Sequence, residues 1–171
     1  MQFSALVTRL AALLLAPTLL FATVPAQAQS TPALPLNKAV VKMRLHKGVS
    51  MDDAVSSMKL RANMLNMKLV AQLPLSKQIK AMGHKARRME VFQFCNPLIA
   101  QKMVESNIDF AAYLPCRIAL VEDQHGQGWL LMTDLNVIIR GGHLGPKLKA
   151  KAEHVRDVLT KIMKAGVNGE L

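Results

Sequence analysis

Arg88-Met89-Glu90-Val91-Phe92-Gln93-Phe94-Cys95-Asn96-Pro97 is the stretch on which the fold turns. Arg88 to Cys95 reads as a strand that becomes apolar on both sides, with Phe92 and Phe94 on one face and Val91 and Cys95 on the other, as in the interior of a sheet. Asn96 then offers an N-cap and Pro97 a first helical residue, so a helix should follow at once. It carries Leu98, Ile99, Met103 and Val104 and should end near Asn107.

Outward from this junction, strands and helices alternate. Upstream, Val41, Met43 and Leu45 alternate with Lys42, Arg44 and His46, the period of a half-buried strand. Gly48 ends it, and Ser50 caps a helix whose first turn holds Asp52 and Asp53, where the helix dipole favours negative charge. Met51, Val55, Met58, Ala62 and Leu65 make its apolar face. A strand from Met67 to Leu73 stops at Pro74, and a short helix from Ser76 to Met82 stops at Gly83. Downstream, Cys116 to Glu122 and Trp129 to Asp134 form a hairpin around Asp123 to Gly128. Gly141, Gly142, Gly145 and Pro146 mark a loop. A last amphipathic helix carries Leu148, Ala152, Val155, Leu159 and Ile162. This order predicts an α+β domain, with a mainly antiparallel five-stranded sheet and helices packed on one face.

The first residues are of a different kind. Arg9 is the only charge before Lys38, an apolar run from Leu10 to Val24 is broken by Pro17, and Ala26-Gln27-Ala28 supplies a small-x-small cleavage site. These features read as a secretory signal peptide over residues 1–28. A linker at 29–37, one α+β domain at 38–165 and a tail at 166–171 complete the division. The expected product is an exported, periplasmic, soluble protein with no membrane span after cleavage. Of 22 Lys and Arg only Arg9 leaves with the leader, so 21 remain against 11 acids, a net charge of +10. That favours anionic surroundings such as lipid headgroups, polyanions or acidic partners. Nucleic acid is not expected, because the export signal argues against it and no strand interleaves basic and aromatic residues. A homodimer is compatible with the sequence.

Phe94-Cys95-Asn96-Pro97 is followed some twenty residues later by Leu114-Pro115-Cys116, and then by Val121-Glu122-Asp123, Gly126, Trp129 and Asp134. Over roughly residues 40–165 this pattern resembles the domain of unknown function 302 family. The resemblance implies a sheet-and-helix domain loosely like the TATA-binding protein in topology, and it implies no activity. The chain departs from the family pattern after the hairpin, where Asp134-Leu135 replaces the frequent Asp-Pro.

Two cysteines carry most of the chemical interest. Cys95 ends one strand and Cys116 begins another, so antiparallel pairing would bring them together. Cys116 shares side-chain parity with the core-facing Ile118 and Leu120, whereas Cys95 shares it with Met89 and Val91. In an exported chain an even cysteine count points to a disulfide, which would contribute about 3 kcal/mol. Three readings stay open: a structural disulfide or two buried thiols, a redox-active or sulfur-carrying pair with Cys95 at a helix start, and a metal or haem contact. Asn96, Pro97, Pro115, Arg117 and Asp134 are the candidate ligand-pocket residues beside the pair. The site is expected on the concave side of the sheet, near the cysteines and the basic run Lys80, His84, Lys85, Arg87 and Arg88.

Other signals are weak. Met64-x-x-Met67 suits soft metal ions, but methionines at helical and strand spacing read as core. The histidines His46, His84, His125, His143 and His154 show no zinc-ligand spacing, so no metal site is assigned and the cofactor is left unknown. Ser56-x-x-Lys59 lacks the partner motifs of penicillin-binding enzymes. Gly141-Gly142 lacks the Gly-Lys-Ser/Thr context of a phosphate loop. With no catalytic constellation, the expected function is an exported accessory or ligand-binding protein, and the alternative is a thiol redox or sulfur-carrier protein using Cys95 and Cys116.

Overall fold

A computed structural model describes residues 35–170. The expected leader at 1–28 and most of the expected linker at 29–37 lie outside the described residues. After a 3-10 turn at Leu36–Lys38 come β1 (Val40–Arg44), α1 (Met51–Met64), β2 (Lys68–Leu73), α2 (Leu75–Ala81) and β3 (Met89–Cys95). Then follow α3 (Pro97–Ser106), a 3-10 segment (Ile108–Tyr113), β4 (Cys116–Glu122), β5 (Gly128–Thr133), α4 (Leu135–Gly141) and α5 (Pro146–Asn168). The five strands form one sheet in the order β1-β5-β4-β3-β2. Every neighbouring pair is antiparallel.

Strand parity divides the molecule. Phe92 and Phe94 of β3, Ile118 and Leu120 of β4 and Leu130 of β5 are fully buried on one face. There they meet Met58 of α1 and Leu159, Ile162 and Met163 of α5 in one core. Burying each such side chain is worth about 1.5–3 kcal/mol. The other face carries half-buried Val91, Ala119, Val121, Trp129 and Leu131, with Lys42, Arg44 and Arg117 exposed among them. Trp129 Nε1 donates to Asp123 Oδ2 at 2.8 Å. The Lys42 ammonium stands 4.0 Å from the centre of the indole ring.

The helix ends follow their sequence signals. Ser50 Oγ accepts from the Asp53 amide at 3.0 Å, and Asp53 Oδ2 accepts from the Ser50 amide at 3.2 Å, a reciprocal cap. The Ser50 hydroxyl and amide hold the Asp53 carboxyl below its ordinary pKa. At α3, Asn96 Oδ1 accepts from the Ile99 amide at 3.2 Å, with Pro97 opening the helix. Gly169 stops α5 at a φ of 66°, a left-handed conformation that glycine adopts without steric cost.

The structure adds to the sequence reading at three places. Leu135–Gly141, to which the sequence reading gives no element, form a helix, α4, capped by Asp134, whose Oδ1 accepts from the Asn136 amide at 2.9 Å; the glycine-marked loop lies where expected, between α4 and α5. Ile108–Tyr113, between α3 and β4, form a 3-10 segment around the buried Phe110. Finally, α5 runs on to Asn168, so 166–168 are its last turn rather than a tail, with Gly166 and Val167 buried. Gly166 is needed there: an added Cβ would stand 2.7 Å from Met58 Cγ and 3.2 Å from the Ala54 carbonyl oxygen.

Candidate functional site

The antiparallel pairing of β3 with β4 sets Phe94 directly opposite Cys116. Cys95, one residue on, lies beside the start of β4 just before the chain turns into α3. The two cysteines therefore come together across adjacent strands. The expected bridge is not formed, and both are free thiols. In the register Phe94, not Cys95, is opposite Cys116, and Cys95 is the last residue of β3 before the turn into α3.

Both cysteines border a cavity of about 70 Å³ lined by α3, the Ile108–Tyr113 segment, α4 and α5. Ile99, Ala100 and Met103 of α3 form one wall, Leu135, Ile138 and Ile139 of α4 another, and Ala152 and Val155 of α5 a third. Met67 and Phe94 lie at the sheet side, and the polar atoms at the border come from the thiols, Asn96 and Tyr113. Asn96 already uses its side-chain oxygen as the cap of α3. A second recess of about 60 Å³ adjoins through Tyr113, Cys116, Leu135 and Ile138, and is bordered by Pro115 and Arg117.

The sequence-based candidates thus divide. Cys95, Cys116 and Asn96 reach the cavity, and Pro115 and Arg117 reach the recess beside it. Pro97 and Asp134 border neither, being committed to the starts of α3 and α4. The basic run is not part of this site. It precedes β3, whereas Cys95 ends it, and seven extended residues separate them by about 20 Å. Arg88 belongs to a polar cluster at that far end. Its Nε donates to Glu90 Oε1 at 2.8 Å and its Nη1 to Asp52 Oδ1 at 2.7 Å. Gln72 Nε2 donates to Glu90 Oε2 at 2.7 Å, so the buried Glu90 is fully paired. The cavity beside the two cysteines lies on the face of the sheet that the helices cover.

Met103, Ile138 and Tyr113 are site residues that sequence reasoning missed. Met67, expected in the core, is buried and also borders the cavity. Met64, its partner in the Met-x-x-Met spacing, is 65% exposed and points elsewhere.

Burial controls the chemistry of the thiols. It pushes Cys116 up to about 11, with the neighbouring Cys95 charge adding to the rise and Arg117 partly opposing it. Burial also raises Cys95. Both sulfurs therefore keep their protons at neutral pH, and the helix start after Cys95 does not overcome desolvation. Among the described residues, no group of three or more His, Cys, Asp or Glu gathers to hold a metal ion. No helix among them is long and apolar enough to cross a membrane.

Residues 41–166 match the family model "Domain of unknown function DUF302". No curated protein matches the chain. Among solved structures, it is similar to a crystal structure described as an uncharacterized conserved protein DUF302 from Bacillus stearothermophilus. The TM-score is 0.62 at 16% identity, covering 74% of this chain and 96% of that one. At that identity the likeness speaks for the fold alone.

Proposed function

We propose that the chain, which belongs to the DUF302 family, is an exported accessory protein that binds a small ligand in the cavity beside α3. The carrying observation is the cavity itself: apolar walls from three helices, with two protonated thiols at its sheet side. The alternative, a redox or sulfur-carrier pair, requires Cys95 to ionise readily, and burial opposes that. Export is supported by the leader pattern of residues 1–28, and the excess of basic over acidic residues supports anionic surroundings.

Methionine-methyl NMR tests the site. Under xenon pressure, or with small apolar probes, the Met67 and Met103 methyl signals should shift while those of exposed Met64 and Met82 stay still. Shifts spread evenly over all four, or none at all, would remove the cavity as the binding site. N-terminal sequencing of protein recovered from its source cells should begin at Gln29, and a chain retaining Met1 would remove the export reading.

A further inference from the structure

Four sulfur-bearing side chains border the one cavity: Cys95, Cys116, Met67 and Met103. They come from β3, β4, the turn before β2, and α3. We propose that these four side chains form a site for a single soft monovalent cation of the Cu(I) or Ag(I) class. The assignment rests on the cavity being the binding site, and it names the class of occupant.

Donor chemistry and size both point this way. Thiolates and thioethers are soft donors that select soft cations, whereas Mg and Ca take oxygen ligands. The described residues offer no cluster of His, Asp and Glu for the harder ions. At about 70 Å³ the cavity is roughly half the ~150 Å³ that admits benzene. It is also far below the ~300 Å³ at which pockets for small molecules begin. One ion held by its sulfur ligands fits this volume.

The binding step balances without a redox partner. Each thiol gives its proton to solvent as its sulfur–metal bond forms, so one monovalent cation releases two protons and no electron moves. The thioethers of Met67 and Met103 bind as neutral ligands. The product carries a net charge of −1, offset by Arg117, whose charge already favours the ionised form of Cys116. Direct coordination is what removes protons that burial otherwise retains.

The test is an anaerobic titration of the reduced full chain with Cu(I), buffered by a competing chelator, and followed by native mass spectrometry, ultraviolet charge-transfer absorption and proton release. The expected result is one ion per chain, two protons released, and loss of binding in Cys116→Ala. Met103→Leu should fold normally and hold the ion more weakly, and Met64→Leu should bind as the unsubstituted chain does. Retention of Cu(I) by Cys116→Ala, or equal affinity in Met103→Leu, overturns the assignment. If Cu(I) is not held while apolar probes still shift the Met67 and Met103 methyls, the metal assignment fails and the cavity reading stands. If neither enters, both fail. Should Cys116→Ala not fold, Met103→Leu and the proton count decide.

Discussion

Cys116 shares its cavity with Phe94, Leu135 and Val155, and there ionisation costs more than Arg117 returns. This makes stability depend on alkaline pH. The unfolded chain gives up the thiol proton near the ordinary value of 9.0, and the folded chain holds it to about 11. The native state binds the extra proton across that window. Its contribution is complete below pH 9 and is lost as pH rises to about 11, a change on the order of 2–3 kcal/mol. Urea denaturation at pH 8, 9, 10 and 11 should show this fall in the unsubstituted chain. Cys116→Ala should start less stable and decline less over the same range. Parallel declines in the two proteins would refute the account. The meeting of Cys95 with Cys116 was legible in the sequence, because strand ends of opposite direction must adjoin. The register that sets Phe94 opposite Cys116 was harder to read, because pattern alone does not specify pairing to the residue.

At the scale of elements, local signals served where chain chemistry decides and failed where packing decides. β4 lies where its alternation placed it, Cys116–Glu122. The Ser50 and Asp53 cap starts α1 at the expected residue. By contrast, Leu135, Val137, Ile138 and Ile139 are rich in β-branched side chains and read poorly as helix. They form α4 because Asp134 caps it and its apolar side packs towards α5, with Ile139 buried. The cavity was illegible for the same reason, since its walls meet only once α3, α4 and α5 have docked. The contact between α1 and α5 supplies the prediction at this scale. Gly166→Ala would press its Cβ to 2.7 Å from Met58 Cγ, 2.9 Å from Leu130 Cδ1 and 3.2 Å from the Ala54 carbonyl oxygen. The first two can yield by rotation, but the backbone oxygen cannot. A loss of about 1–3 kcal/mol is expected in chemical denaturation, and an unchanged midpoint would show that the helices separate freely.

For the whole molecule, the decisive feature is a sheet with two unlike sides. The side under the helices holds the core and the cavity, so every group able to grip a ligand there is screened by α3, α4 and α5. The basic residues ahead of β3 stand at the opposite end of that strand from the sulfurs. The basic run and the cavity therefore occupy separate regions of the domain. The chain's single indole, Trp129, sits on the side turned away from the helices, between Asp123 and the Lys42 ammonium. Its emission is thus an optical reporter with a built-in bias: filling the interior with an apolar probe should leave the spectrum flat, whereas an anionic vesicle settling on the outer strands should shift or quench it.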